Sequence, residues 1–279
     1  MRLGSNIAKL MGRGTSPAVS RQVRRLTQHE RHAQILALLR REGTVRIATL
    51  AKAFDVTTET ARRDLDELTE KGALKRTYGG GASRSLTDEP GIGIRSRAHA
   101  AERGLIATTA AAMVEHGDAL MIDCGSTTRL FAHALAARNL HLTVVTNCLP
   151  VARALGVNFH GRTILCPGDY VAREDGVYGS DAVDFIRRFK ANKAFIGAGG
   201  VTTDGVTDAD SLSASIKRAM IERSDRTILL VDNSKYDEVQ FERVCALADV
   251  DELVSEARPP KRLAASLKSA GVRVVVAVN

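Results

Sequence analysis

Six consecutive residues, Asp123-Cys124-Gly125-Ser126-Thr127-Thr128, place a carboxylate, a glycine and three hydroxyls at a junction between two patterns. The apolar run A-L-M-I (119–122) precedes them and R-L-F-A-H-A-L follows. A buried strand that turns there and opens a helix offers backbone N–H groups together with hydroxyls, which is the chemistry of an anion cradle. The expected guest is a phosphate monoester. Gly-Ser-Thr alone also suits an ordinary helix N-cap. Asp123 does not, and it fits a hydrogen bond to a sugar hydroxyl. Lys235, three residues after Asp232, offers a cation at another strand end. Asn147 and Gly168 follow two further apolar runs. The candidate anion-site residues are thus Asp123, Gly125, Ser126, Thr127, Thr128, Asn147, Gly168 and Lys235.

A second chemistry lies in the adjacent Arg62 and Arg63. They belong to T-E-T-A-R-R-D-L-D-E-L-T-E-K, which reads as a helix with Thr57 as N-cap. Ala61, Leu65 and Leu68 face inward, so Thr58, Glu59, Arg62 and Arg63 face out. The two arginines fan apart by about 100°. One reaches a base edge while the other meets a phosphate, and the guanidinium fork suits both. The plain alternative is a solvated face with Arg62–Asp66 or Arg63–Glu67 pairs. A short turn at Asp55-Val56 separates this helix from one running roughly from Ile47 to Phe54, with Ile47, Leu50, Ala51 and Phe54 on one stripe. These are the dimensions of a helix-turn-helix. An earlier helix carries Ile35, Leu36, Leu38 and Leu39 and ends at Gly43. After Gly72, A-L-K-R-T-Y-G-G-G-A (73–82) reads as a basic hairpin able to lie along a DNA backbone. The candidate DNA contacts are Thr58, Thr60, Arg62, Arg63, Lys75, Arg76 and Tyr78.

Charge supports that division. Residues 1–90 hold 17 Lys+Arg against 10 Asp+Glu, whereas residues 91–279 hold 23 against 22. A basic first third on a near-neutral remainder points to a polyanion partner. Residues 1–27 carry six basic residues and no acid, without the apolar core of a secretory signal. They read as a flexible basic arm, although a mitochondrial transit peptide has the same composition. No stretch is apolar enough to span a membrane. The four cysteines (Cys124, Cys148, Cys166, Cys245) stand singly, which suits small buried residues in a reducing cytoplasm. No metal or other cofactor is expected.

Residues 83–97, rich in Ser, Gly and Pro at their start, read as a linker. Beyond it, apolar runs at 119–122, 142–146, 162–165, 193–196, 227–231 and 272–278 alternate with helical segments. That pattern gives an α/β layered fold around a mainly parallel sheet, in which ligands bind beyond the carboxyl ends of the strands. The expected organisation is a basic arm (1–27), a winged helix-turn-helix (28–82), a linker (83–97) and an effector and oligomerisation domain (98–279).

Val56-Thr57-Thr58-Glu59-Thr60-Ala61-Arg62-Arg63-Asp64-Leu65, followed by G-A-L-K-R-T-Y-G-G-G-A from Gly72, resembles the DNA-binding domain of the DeoR (deoxyribose operon repressor) family. The departures are Thr57 for Ser, Ala61 for Ile, Tyr78 for His and the additional Gly81. I-D-C-G-S-T-T, L-T-V-V-T-N, K-A-F-I-G-A-G-G-V and L-V-D-N-S-K-Y are similar to pieces of the family's effector domain. That domain shares its fold with ribose-5-phosphate isomerase A. Pro167-Gly168-Asp169 stands where the family has Gly-Gly. The resemblance implies a repressor of a carbohydrate or polyol operon that binds double-stranded operator DNA as a homo-oligomer and responds to a phosphorylated sugar. An isomerase-like enzyme with a DNA-binding appendage is the alternative. The isomerase carries Asp-Gly-Ala-Asp and Lys-Gly-rich loops, and only Asp204-Gly205 and Gly199-Gly200 stand here. No catalytic residue, and no enzyme activity, is therefore expected.

Overall fold

The computed structural model describes residues 26–83, 85–87, 89–156 and 160–278. Most of the basic arm, residues 1–25, lies outside them. Helix α1 (Gln28–Glu42) starts at Thr27, whose hydroxyl accepts from Glu30 N–H while Glu30 reaches back to Thr27 N–H, and stops at Gly43 with φ +72°. Strand β1 (Thr44–Arg46) leads into α2 (Ile47–Phe54) and α3 (Thr58–Glu70). Thr57 caps α3 as its sequence position requires, accepting from Thr60 N–H. Strands β2 (Lys75–Thr77) and β3 (Gly80–Ala82) form the wing, and β1 pairs with β3 to complete a three-stranded sheet. A three-residue strand such as β1 has no legible period and exists only through that pairing. Gly80 is obligatory there, because a Cβ on it would lie 1.9 Å from Val45 O. Ile35, Leu50, Leu65 and Leu74 form the fully buried centre of this unit.

The segment read as a linker contains the short helix α4 (Ile92–Arg95), with Ile92 buried. The remainder runs α5 (Ala100–Ala112), β4 (Ala119–Ile122), α6 (Ser126–Ala136), β5 (Thr143–Thr146), α7 (Leu149–Gly156) and β6 (Arg162–Leu165). A hairpin of β7 (Asp169–Val171) and β8 (Gly176–Tyr178) precedes α8 (Ser180–Arg187) and β9 (Ala191–Ile196). Then come β10 (Gly200–Thr202), β11 (Gly205–Asp208), α9 (Ser211–Glu222), β12 (Ser224–Leu230) and β13 (Glu242–Cys245). The last elements are β14 (Glu252–Ser255), α10 (Lys261–Ser269) and β15 (Arg273–Val276).

Seven of these strands form one parallel sheet in the order β15-β14-β12-β9-β4-β5-β6. The chain steps outward from β4 through β5 and β6, then returns to build β9, β12, β14 and β15 on the other side. Right-handed crossovers therefore put α6 and α7 on one face and α9 on the other. The α/β layered expectation holds. Strand β14 and the small antiparallel sheets β7–β8 and β10–β11–β13 were not expected. Strand β14 opens on Glu252, buried because Arg226 and Arg273 both pair with it, so its sequence does not read as apolar.

Candidate effector cavity and nucleic-acid interface

The reversal of strand order between β4 and β9 creates a crevice at their carboxyl ends, the position at which open α/β sheets bind ligands. A cavity lies there. It is lined by Asp123–Thr127 after β4, Gly197–Gly199 after β9, Leu230–Asp232 after β12, and Lys235. Asp208 from β11, Lys217 from α9, Arg103 from α5, and Glu89 and Arg95 from the 83–97 segment complete it. Phe131 of α6 stacks on Phe195 of β9 with ring centroids 4.3 Å apart, which fixes the start of α6 over the crevice.

Helix α6 has Gly125 as its N-cap, and no side chain caps it. The ordinary Ser/Thr cap considered for this sequence is therefore not formed. Uncapped N–H groups and the positive end of an 11-residue helix favour an anion here. Asp123 Oδ2 accepts from Gly197 N–H at 3.2 Å and lies 3.0 Å from Lys217 Nζ. Asp123 Oδ1 is buried with no hydrogen-bond partner. Lys217 is itself buried and also meets Asp208 Oδ2 at 2.8 Å. Burial opposes its charge, but Asp208 and Asp123 outweigh burial and hold the ammonium well above its ordinary range. Arg103 Nε donates to Asp232 Oδ2 at 2.7 Å. Burial pushes the Asp232 carboxyl up, yet Arg103, Ser234 and Lys235 together keep it below the usual carboxylate range. The cavity thus combines a helix start, four cations and a free carboxylate oxygen, a set suited to a phosphate with hydroxyls beside it.

Of the residues chosen from sequence, Asp123, Gly125, Ser126, Thr127 and Lys235 line this cavity, and Thr128, Asn147 and Gly168 do not. The Thr128 hydroxyl donates to the Asp123 and Gly125 carbonyls, at 3.0 and 3.1 Å, and shapes the loop from beneath. Asn147 Nδ2 donates to Val177 O at 3.1 Å, tying the end of β5 to β8. Gly168 has φ +132°, and a Cβ on it would fall 2.4 Å from Tyr178 O. Both residues follow strands on the far side of β4 from the crevice. Arg103, Lys217, Asp208, Asp232, Glu89 and Arg95 also line the cavity and are not among those candidates. Two left a signal: Lys217 and Arg103 interrupt the buried stripes of α9 and α5 at helical spacing from Ser213 and Met220, and from Ile106 and Ala107. Cys124 Sγ lies 2.7 Å from Cys148 Sγ, and both are buried free thiols. That contact and burial push the Cys124 thiol far up, which removes it as a nucleophile. Among the described residues, no cluster of three or more His, Cys, Asp or Glu is placed to hold a metal ion.

On the first unit, Arg62 and Arg63 are exposed on α3 beside the exposed Thr58. Arg62 Nη1 rests 3.4 Å from Glu59 Oε2, a surface pair that restrains it little. Asp66 pairs with Arg76 Nε at 2.8 Å, and Arg76 Nη1 donates to Gly80 O, so Arg76 ties the wing to α3. Lys75 and Tyr78 are exposed on the wing, while the Thr60 hydroxyl joins the Thr57 cap at 2.9 Å. Asp64, between the arginines and Leu65, is fully buried and receives Arg31 Nε at 2.6 Å and Nη2 at 2.9 Å. It anchors α1 against α3 and sets the angle at which the arginines emerge.

Two family models match these two units. Residues 31–87 match the DeoR-like helix-turn-helix domain, and residues 98–257 match the DeoR C terminal sensor domain. The chain belongs to the DeoR family of transcriptional regulators. Among its DeoR-family relatives, the glycerol-3-phosphate regulon repressor of Escherichia coli strain K12 is 34% identical over 236 residues, covering 84% of this chain and 93% of its own. The transcriptional repressor AccR of Agrobacterium fabrum is 33% identical over 231 residues, covering 81% and 89%. The L-fucose operon activator of Haemophilus influenzae is 30% identical over 232 residues, covering 82% and 92%. A solved ribose 5-phosphate isomerase A from Methanocaldococcus jannaschii covers 50% of this chain and 55% of its own at 16% identity, with a TM-score of 0.37. No described helix is long and apolar enough to cross a membrane.

Proposed function

We propose that this regulator represses a carbohydrate or polyol catabolic operon and releases its operator when a phosphorylated sugar or polyol fills the cavity at the start of α6. The observation that carries the reading is the uncapped α6 start facing Lys217, Lys235 and Arg103, with Asp123 Oδ1 unpartnered beside it. The phosphate sits on the Gly125, Ser126 and Thr127 turn, and Asp123 Oδ1 accepts a sugar hydroxyl. Thr128 acts by holding the turn, while Asn147 and Gly168 hold its neighbours. The names of the E. coli and A. fabrum relatives support repression. The chain works by binding and not by turnover, in the cytoplasm where its operator lies. It works as a homo-oligomer, since a helix-turn-helix usually reads paired half-sites; native mass spectrometry finding only the 30.0 kDa species would contradict that.

Calorimetric titration with sugar and polyol phosphates tests the site. Lys235 is reachable from solvent, and losing its ammonium removes a charge-assisted bond worth about 1.5–3 kcal/mol. Lys235→Gln is therefore expected to bind the responsive phosphate ester about 10- to 150-fold more weakly, with an unchanged far-UV spectrum. Equal affinity in parent and variant would remove Lys235 from the site.

A further inference from the structure

The cavity contains a carboxylate that belongs to neither of the two matched domains. Glu89 lies between the regions 31–87 and 98–257, yet its side chain reaches into the sensor cavity and is only 15% exposed. Glu89 Oε2 sits 3.0 Å from Arg95 Nη1 and Oε1 sits 3.6 Å from Lys235 Nζ. With it in place, the lining holds four cations (Arg95, Arg103, Lys217, Lys235) against four carboxylates (Glu89, Asp123, Asp208, Asp232). The free space is about 30 Å³, room for a water or two and too little for a phosphate ester. Burial pushes the Glu89 carboxyl up, but Arg95, Lys235 and Lys217 more than offset it and keep the group ionised.

The backbone around Glu89 is held from both sides. Arg173 donates to Glu89 O, and Phe241 N–H donates to Leu86 O at 3.2 Å. The next residue, Pro90, packs on Gly72, where a Cβ would fall 2.7 Å from Pro90 Cγ. Gly72, at φ +70°, makes the turn that ends α3, the helix bearing Arg62 and Arg63. One dipeptide therefore touches the cavity with its first residue and the foot of the DNA-reading helix with its second.

We propose that Glu89 is a built-in competitor for the effector's phosphate, and that its displacement frees Pro90 from Gly72 and so reports cavity occupancy to α3. This rests on the phosphate reading of the cavity and adds how occupancy reaches DNA. A phosphate monoester carries about −1.5 to −2 charge at pH 7 against −1 for the carboxylate, so it takes the Arg95 and Lys235 contacts, and an uncharged sugar does not. Arg95 stays in position when Glu89 leaves, because Glu174 holds its other nitrogen, and its buried Nε has no partner of its own. The resident carboxylate lowers apparent effector affinity by the fraction of time it holds the site.

The test is titration of inorganic phosphate and of glycerol 3-phosphate into the full chain and its Glu89→Gln variant. The neutral isostere is expected to bind inorganic phosphate at least about tenfold more tightly than the parent, and to bind operator DNA more weakly before any phosphate is added. Glu89→Asp, which keeps the charge, is expected to stay within threefold of the parent. A purely structural Glu89 predicts the opposite: unchanged or weaker phosphate binding in Glu89→Gln, which would overturn the proposal while leaving the cavity reading intact. Binding of neither ligand by any of the three proteins would overturn both. Should Glu89→Gln not fold, amide exchange decides in the parent. Exchange across residues 85–92 is expected to quicken with phosphate, and no change overturns the proposal.

Discussion

A Lys217→Met chain is expected to lose about 3–5 kcal/mol of folding stability at pH 7, the usual consequence of removing one partner from a buried ion pair. Methionine fills the space but leaves Asp123 and Asp208, which lie 3.0 and 2.8 Å from the ammonium, without their shared cation. The loss depends on pH, and its sign is fixed. In the parent, the Lys217 pKa is raised on folding, so its contribution is complete below the ordinary lysine value of about 10.4 and is lost only as pH rises through the folded value. It is therefore fully present at pH 7. Urea unfolding of parent and variant at pH 7 is the measurement. A variant within 1 kcal/mol of the parent at pH 7 would show that the triad does not hold the cavity floor.

Replacing Arg62 and Arg63 together with alanine is expected to weaken operator selectivity by at least one base contact. Each bidentate contact to a base edge is worth about 1–3 kcal/mol of discrimination, and both side chains are exposed on the outward face of α3. The fold should survive, because Asp64, which is buried between α1 and α3, keeps its Arg31 partner. Competition between operator and random duplex at fixed salt is the measurement. A double variant that prefers its operator as strongly as the parent would refute the assignment of α3.

The DNA-binding unit is legible in sequence because its determinants are local. Thr57, Gly43 and the Ala61, Leu65, Leu68 stripe each act within a few residues, and the structure places α2 and α3 at the expected positions. The cavity is legible by halves. Strand ends are readable, and of the residues they supply Asp123, Gly125, Ser126, Thr127 and Lys235 line the cavity. Strand order is not readable, so Asn147 and Gly168 read as members of the same set, although β5 and β6 lie beyond β4 on the side away from the crevice. Arg103 and Lys217 come from helices that reach the cavity only through tertiary packing. Glu89 comes from a segment whose Ser, Gly and Pro content reads as a spacer, yet its carboxylate is held by Arg95 and Lys235. Asp64 was matched as part of a motif, and only the structure shows it as a buried anchor and not as part of the DNA-facing surface.

Operator affinity of the full chain, measured with and without a panel of phosphorylated sugars and polyols and with their dephosphorylated counterparts, tests the central claim most directly. At least one phosphate ester is expected to weaken operator binding by about 5- to 150-fold, a coupling of about 1–3 kcal/mol, while its dephosphorylated form leaves binding unchanged. Operator affinity indifferent to every phosphate ester, or equally sensitive to the dephosphorylated compound, would contradict an anion-gated sensor.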